Sequence, residues 1–492
     1  MTSSHPASTP GSTPVSAPGS APGSGTSSPP RAASVRRVVA ASLVGTTVEW
    51  YDYFLYGSAA ALVFGKVFFP ESDPLTGTLL SFLTYAIGFA ARPLGALVFG
   101  HFGDRIGRKK LLVVSLLMMG AATTLIGCVP GYDSIGVAAP VLLTTLRLIQ
   151  GFALGGEWGG AVLLVSEHGD ARRRGFWASW PQGGAPAGNL IAVGVLSLMT
   201  TVQSDAAFVA WGWRIPFLLS AVLVGVGLWV RLSVDESPVF QEALAKAERR
   251  KAARSEAEQP PILAVLRHHW RDILVAMGAR IAENISYYVI TTFVLAYCVE
   301  HLKIDKQTAL NAVLIGSAVQ FCLIPLFGAL SDRVGRKPVY LVGAVGTGAW
   351  AWAFFALLDT RSFPALVLAV TVGLVFHSAM YAPQAAFFSE LFATRMRYSG
   401  ASIGAQFASV AAGAPAPLIA VALLQSYGDA TPIALYVTLA AVVTVIALLF
   451  AVETRGRDLA DVTADTAADT TTDATGPGDA PPETGERTTV SA

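Results

Sequence analysis

The sequence predicts an all-α integral membrane protein with twelve transmembrane helices in two six-helix halves and both termini in the cytoplasm. Three observations lead to this prediction: long apolar runs, a loop motif that occurs twice, and a low charge content. Of the 492 residues, 53% are hydrophobic and only 14% are charged. Because soluble domains average about 25% charged residues, lipid is the expected solvent for most of the chain.

The apolar runs are roughly 20 residues or longer, which is enough to cross about 30 Å of hydrocarbon as helices. They do not alternate apolar and polar residues as barrel strands do. Helices are therefore favoured, since they satisfy their own backbone hydrogen bonds. The runs are 38–66, 77–101, 111–130, 137–166, 175–202, 211–232, 271–300, 308–331, 337–358, 363–391, 398–425 and 430–452.

A loop motif of glycines, one acid and several cations occurs twice. Its copies are residues 100–110 and 328–338, and their acids, Asp104 and Asp332, are 228 residues apart. A second pattern repeats at a spacing of 223 residues, in Ser166-Glu167 and Ser389-Glu390. Two patterns repeated at nearly one spacing indicate a duplicated unit.

Basic residues in the short loops set the orientation. They are concentrated after runs two, four, eight and ten, which places these loops and both termini in the cytoplasm. The composition of the tails and of the polar segment between runs six and seven indicates disorder at both ends and a cytoplasmic tether in the middle. The predicted organisation is a disordered tail 1–34, a six-helix half 35–232, a linker 233–270, a second half 271–452 and a disordered tail 453–492.

Four stretches carry a resemblance to a known family. They are Gly45-Thr-Thr-Val-Glu-Trp-Tyr-Asp-Tyr-Phe-Leu-Tyr-Gly, Arg92-Pro-Leu-Gly, Arg147-Leu-Ile-Gln-Gly-Phe-Ala-Leu-Gly-Gly-Glu-Trp-Gly-Gly and Trp211-Gly-Trp-Arg-Ile-Pro-Phe. With the doubled loop motif, they make residues 35–453 resemble the major facilitator superfamily and, within it, the metabolite:proton symporter family. The first six runs look most similar to the shikimate branch.

The resemblance implies a plasma-membrane transporter, usually monomeric, that works by alternating access. Members of the family carry organic acids such as shikimate, 2-oxoglutarate and citrate, or zwitterions such as proline and betaine. It also implies that the loop motifs latch the cytoplasmic side while the protein opens outward. The alternative is that their cations are simple positive-inside anchors. The predicted gate residues are Gly100, Asp104, Arg105, Gly107, Arg108, Glu157, Glu167, Asp332, Arg333, Arg336 and Glu390.

Charges inside apolar runs are candidates for function, because a charge at the bilayer centre costs at least about 2.5 kcal/mol. Glu49 and Asp52 lie three residues apart on one helical face near the middle of the bilayer. Either can carry a coupled proton. Asp52 with Arg147 is the leading pair, by similarity to sugar porters that pair an acid in the first helix with an arginine in the fourth. A permanent structural ion pair is the alternative.

Other buried polar residues are candidates for substrate contact. Arginine suits a cavity cation because it stays charged and grips carboxylates with two parallel hydrogen bonds. Arg280 and Glu283 share a helical face and can also neutralise each other. Polar residues such as Gln320, Gln384 and His377 are expected to join helices more often than to bind ligand, although His377 can titrate near neutral pH. The predicted substrate-binding residues are Arg92, Arg147, Arg280, Glu283 and Tyr287.

The predicted function is import of a small organic acid, such as shikimate or a related mono- or dicarboxylate, driven by the proton gradient and without a cofactor. Uptake of proline or betaine is the alternative, with an aromatic cage for the cation. An exporter or a sensor is a weaker alternative. A formal net charge of +1 without a basic stripe argues against a nucleic-acid partner. No enzyme motif or metal-ligand pattern was found, and Cys128, Cys298 and Cys322 all lie in apolar runs.

Overall fold

The structure is a computed structural model that describes residues 32–106, 108–155, 171–233, 270–391 and 406–457. The predicted tails and linker lie largely outside these ranges. The described residues form twelve long helical segments, as the apolar runs predict. In chain order the segments are α1 (Ala32–Ala59, continued by Ala60–Phe64 and Gly65–Phe68), α2 (Pro74–Ala90 and Arg92–Ile106), α3 (Arg108–Cys128), α4 (Ala138–Leu154), α5 (Arg174–Val202), α6 (Asp205–Ala207, Phe208–Gly212 and Arg214–Ser233), α7 (Trp270–His301), α8 (Lys306–Val334), α9 (Arg336–Asp359), α10 (Phe363–Leu391), α11 (Gln406–Tyr427) and α12 (Thr431–Phe450).

By length and apolar composition, eight helices in the described ranges can cross a membrane, and nine can if the bent helix α6 counts as one span. Two shorter apolar helices, Val113–Cys128 and Ala138–Leu154, belong to α3 and α4. The remaining helix, α1, carries the buried acids Glu49 and Asp52, which lower its apolar character.

Helix ends follow from local residue chemistry. Asp73 precedes α2, and its Oδ1 accepts hydrogen bonds from the backbone N–H groups of Leu75 and Thr76, both at 3.1 Å. Asp305 caps α8 in the same way through Thr308. Between α8 and α9 the chain turns sharply at Gly335, whose φ of +119° favours glycine.

Several helices contain π turns, in which the backbone hydrogen bonds span five residues instead of four. In α1 the π turn is Ala60–Phe64, in α7 there are two at Val289–Phe293 and Tyr297–His301, and in α11 it is Ser409–Gly413. Such turns shift the helical register, so the residues beyond them face a new direction.

The two halves meet along two main seams. Helix α5 packs along α8 and α10, and α2 packs along α11. The α5–α8 seam is joined by hydrogen bonds between Asn189 and Ser317 at 2.9 Å and between Ser197 and Asn311 at 2.9 Å. Buried aromatic residues of α1 and α7 also contact each other where the halves meet.

Candidate functional site

Arg147 of α4 is buried among aromatic rings. Its guanidinium carbon lies 4.7, 4.4 and 4.6 Å from the ring centres of Tyr53, Tyr56 and Tyr85. Its Nη1 donates to Oε1 of Gln150 at 2.8 Å. Nε and Nη2 are buried without hydrogen-bond partners, so these N–H groups are ready to bind an anion.

Arg92 of α2 lies beside Arg147 in a similar setting. Its guanidinium carbon is 4.6 Å from the ring centre of Tyr53 and 4.1 Å from that of Phe89. Its Nε and Nη2 also have no hydrogen-bond partner. Both arginines and Asp52 line one small cavity of about 10 Å³, named here the Arg147 cavity. Since this volume holds about one water molecule, the halves have to move for a larger molecule to enter.

Asp52 of α1 is completely buried. Its Oδ1 accepts a hydrogen bond from the hydroxyl of Ser220 on α6 at 2.5 Å, and its Oδ2 has no hydrogen-bond partner. Asp52 and Arg147 are both described in full, and no ion pair joins them in this conformation. This conformation therefore does not contain the Asp52–Arg147 ion pair that was the alternative. Glu49, one helical turn earlier, is also buried.

The C-terminal half contains a second buried polar group, named here the Glu283 cluster. Oε2 of Glu283 is 3.4 Å from Nε of Arg280 and accepts hydrogen bonds from Asn284 at 3.0 Å and Gln384 at 3.2 Å. Oε1 lies 3.4 Å from Nε2 of His377 on α10. The predicted pairing of Arg280 with Glu283 is thus part of a larger arrangement that neutralises the carboxylate.

A second small cavity of about 10 Å³ adjoins the Glu283 cluster. Arg280, Glu283, Tyr287 and His377 line it from the C-terminal half, and Trp50 lines it from α1. The ring centres of Tyr287 and His377 are 4.5 Å apart, and the hydroxyl of Tyr287 has no hydrogen-bond partner. The predicted substrate residues therefore fall into two groups, one in each half.

An aromatic layer lies between the two groups. Tyr53 and Phe54 of α1 contact Tyr288 and Tyr287 of α7, with ring centres 6.0 Å apart for Tyr53 and Tyr288 and 5.2 Å apart for Phe54 and Tyr287. Aromatic pairs at such distances contribute about 0.5–1.5 kcal/mol each beyond their burial. The layer connects the halves and separates the arginines from the Glu283 cluster.

At the cytoplasmic end, Glu390 of α10 joins the halves. Its Oε1 is 2.9 Å from Nη1 of Arg174 on α5 and 3.1 Å from Nη2 of Arg336 on α9. Arg336 also pairs with Asp332 at 2.7 Å. The carboxylate of Asp332 in turn accepts hydrogen bonds, both of 2.8 Å, from the N–H groups of Gly175 and Phe176 at the start of α5. We name these residues the Glu390 network.

The chain after α12 folds back onto this network. The carboxylate of Glu453 accepts hydrogen bonds from the backbone N–H groups of Arg336 at 2.9 Å and Lys337 at 3.0 Å, at the start of α9. Thr454 donates to Oε2 of Glu390 at 2.8 Å. Residues 451–457, named here the strap, thus extend the ordered chain beyond the predicted half, which ended at 452.

The structure places the other predicted gate residues as follows. Gly100, Asp104, Arg105 and Arg108 lie on helices α2 and α3, but their side chains are not described. Gly107, Glu157 and Glu167 lie outside the described residues. Arg333 is exposed at the end of α8, so its part in the gate stays a prediction.

Sequence reasoning missed several partners of these residues. The sequence does show polar residues in apolar runs at these positions, Ser220, Gln150 and Asn284. It does not show which helix each one faces, because that depends on helix packing. Thr123 is a further example, since its hydroxyl is 2.5 Å from Nε2 of Gln150 and so supports the residue that holds Arg147. For His377 the expected role was to join helices. The structure places its Nε2 3.4 Å from Oε1 of Glu283, so His377 is also part of the buried charged cluster.

Comparisons with known proteins identify the family. A family model described as sugar (and other) transporter matches residues 38–465. The chain belongs to this family of the major facilitator superfamily. It is a multi-pass transporter of the cell membrane and not an enzyme.

Two transporters of Escherichia coli are similar to most of the chain. The shikimate transporter of Escherichia coli K12 is 41% identical over 414 residues, covering 84% of this chain and 92% of the relative. The proline/betaine transporter of the same strain is 33% identical over 435 residues, covering 87% of this chain and 86% of the relative. Among solved structures, the proton:xylose symporter XylE bound to 6-bromo-6-deoxy-D-glucose has a TM-score of 0.69 at 15% identity and covers 88% of this chain and 99% of that one. This last likeness concerns the fold alone.

Proposed function

We propose that this transporter imports a small organic acid together with protons. The acid is shikimate or a related carboxylate, and the proton gradient supplies the energy. The similarity to the shikimate transporter supports the substrate class. The residues of the Arg147 cavity supply the groups for binding the anion and carrying the proton.

The observation that carries the proposal is the pair of buried arginines with unpartnered N–H groups. Burying a charged group without acceptors costs several kcal/mol, which a bound carboxylate offsets with charge-assisted hydrogen bonds. The tyrosine rings around Arg147 hold its guanidinium plane in place, so two parallel N–H groups can face one carboxylate.

Asp52 is the proposed carrier of the coupled proton. Its unpartnered Oδ2 is in the same cavity as the two arginines. As a carboxylate it competes with the substrate for their positive charge, and as a neutral acid it does not. Protonation of Asp52 therefore favours binding of the anion, and release of the substrate favours loss of the proton. The Glu390 network closes the cytoplasmic end while the outer end opens.

The test is uptake into proteoliposomes with an imposed inward proton gradient. We expect saturable accumulation of one acid among shikimate, 2-oxoglutarate and citrate, abolished by a protonophore. Arg147→Lys should raise KM by about tenfold or more, since a paired hydrogen bond to a charge contributes roughly 1.5–3 kcal/mol. Arg361→Lys, an exposed arginine between α9 and α10, is the matched control and should leave KM unchanged. Gradient-independent uptake of every acid would disprove the proposal.

Uptake of a zwitterion such as proline or betaine is the second candidate. The aromatic residues Trp50, Tyr287, Tyr288 and Tyr381 around Glu283 favour it, because aromatic faces and a carboxylate bind organic cations. The similarity to the proline/betaine transporter supports it as well. The same uptake assay distinguishes the two candidates: accumulation of proline or betaine without any acid would favour this one.

A further inference from the structure

The Glu283 cluster contains a titratable histidine that coupling through Asp52 does not use. His377 is 1% exposed, and Gln320, Glu283 and Arg280 around it are each 5% exposed or less. Imidazole is the side chain that ordinarily titrates between about pH 5 and 8. A buried group of this kind, next to a cavity, is a candidate for proton uptake.

The hydrogen bond with Gln320 of α8 determines where the neutral ring holds its proton. The amide Nε2 of Gln320 lies 2.7 Å from Nδ1 of His377. Because an amide nitrogen only donates hydrogen bonds, Nδ1 accepts this one. The single proton of the neutral ring is therefore on Nε2, which lies 3.4 Å from Oε1 of Glu283.

A second proton on His377 would need an acceptor next to Nδ1. Gln320 has that acceptor, because its Oε1 is buried without a hydrogen-bond partner. A half-turn of the amide exchanges Nε2 for Oε1 opposite Nδ1. The second ring N–H group then has Gln320 as its acceptor, and Nε2 on the other side keeps its 3.4 Å distance to the carboxylate of Glu283. Rotation of one amide thus allows the cluster to take up a proton without moving a helix.

The ring itself is held in place and the surrounding charges are balanced. Tyr287 and Tyr381 flank the ring, with centres 4.5 and 5.2 Å away. Arg280 and Glu283 neutralise each other, so an added proton gives the cluster one positive charge. Titratable groups face His377 from three helices: Arg280, Glu283 and Tyr287 of α7, Tyr381 of α10, and Tyr340 of α9. Tyr340 reaches the cluster through its hydrogen bond with Gln384. Helices α5 and α8 contribute only the uncharged amides of Gln182 and Gln320.

We propose that His377, with Glu283 and Gln320, carries a second coupled proton. This inference rests on the proposed function, in which Asp52 carries the first. A proton from the outer water adds to Nδ1 and leaves to the cytoplasm with the substrate. A singly charged carboxylate is then imported with two protons, so each cycle moves one positive charge inward. Transport responds to membrane potential as well as to the pH difference.

The test measures uptake of labelled shikimate by the full-length protein in proteoliposomes at equal pH on both sides. Valinomycin and a potassium gradient impose an inside-negative potential, and about 100 mV favours roughly fiftyfold accumulation per charge moved. The wild type should accumulate shikimate under this potential. His377→Gln should lose the response to potential and retain uptake driven by a pH difference. His301→Gln, the same change at the outer end of α7, should behave like the wild type.

Two further measurements keep the test decisive. Exchange of labelled for unlabelled shikimate without any gradient shows whether His377→Gln is folded. Gln320→Leu keeps the histidine and removes the acceptor for its second proton, so it should also lose the response to potential. If either folded variant retains the full response, or if the wild type takes up shikimate without moving charge, His377 is not a proton carrier. Failure of the proposed function looks different, because the wild type would then take up no acid under a pH difference.

Discussion

Arg147 occupies space that only a glycine leaves open. A Cβ on Gly88 of α2 would lie 2.7 Å from Cγ of Arg147. The arginine stem therefore crosses the face of α2 at Gly88 on its way to the tyrosine rings. The position of the guanidinium group, and with it the anion site, depends on this missing methyl group.

Gly88→Ala should weaken substrate binding and leave the fold intact. The added methyl pushes the arginine stem away, and overpacking of this kind costs typically about 1–3 kcal/mol. We expect KM for the transported acid to rise by about tenfold. Gly225→Ala on α6, where a Cβ meets no atom within 4 Å, is the control and should transport like the wild type. Equal KM values for the two variants would contradict the role given to Gly88.

At the scale of the helices, Glu390 links α10 to both α5 and α9. Its partners Arg174 and Arg336 are only 5% and 2% exposed in their side chains. Removing one member of a buried ion pair typically costs about 3–5 kcal/mol, because the remaining charge stays buried. The closed cytoplasmic end should therefore depend strongly on this single carboxylate.

Glu390→Gln should open the cytoplasmic end. The two arginines lose the carboxylate that they share in the closed state, and among the described residues only Arg336 keeps another, Asp332, whereas water can solvate both arginines in the open state. Spin labels at Arg173, exposed just before α5, and at Arg333, exposed on α8, measure the separation of the halves. We expect the distance distribution to shift to longer values. Glu71→Gln, an exposed acid at the outer side, should leave that distribution unchanged, and an unchanged distribution in Glu390→Gln would refute the assignment.

The bounds of the helices were more predictable from the sequence than the side-chain contacts between them. The run 363–391 coincides with α10 because the apolar stretch has clear ends, whereas α6 starts at Asp205 and not at 211 because a capped turn precedes the apolar part. Asp52 and Arg147 were predicted to act together, and they do line one cavity. Contacts such as Glu283 with His377 depend on how α7 and α10 are rotated about their axes, which packing determines and composition does not.

For the molecule as a whole, the two ends of the transporter are closed by interactions of unequal strength. At the outer end, Lys306 pairs with Asp205 at 2.9 Å and Lys66 with Glu300 at 4.0 Å. Each pair has one exposed side chain, Asp205 at 82% and Lys66 at 51%, while the side chains of Lys306 and Glu300 are 9% and 11% exposed. Water reaches one member of each pair, and exposed ion pairs contribute only about 0–1 kcal/mol. The ion pairs of the Glu390 network are buried and cost more to break, so the outer end should open more readily than the cytoplasmic end.

Lys306→Gln should shift the protein toward the outward-open state with little loss of stability. The change in unfolding free energy should stay within about 1 kcal/mol. Spin labels at Glu71 and Asp429, exposed on the outer side of each half, should report longer distances. Raising the salt concentration should produce a similar shift in the wild type through screening. Lys303→Gln, at an exposed lysine in the loop just before α8, is the control, and equal distances in both variants would disprove the unequal closure.

The strap has a consequence for anyone who attaches a reporter to this protein. Glu453 and Thr454 hold the start of α9 and the carboxylate of Glu390, only a few residues after α12 ends at Phe450. A fluorescent protein or affinity tag fused directly to Phe450 would delete both contacts and disturb the closed cytoplasmic end. Fusions should therefore retain the whole strap, including Arg457, whose carbonyl accepts a 3.4 Å hydrogen bond from Nη1 of Arg174, so that the reporter records the native transporter and not an altered one.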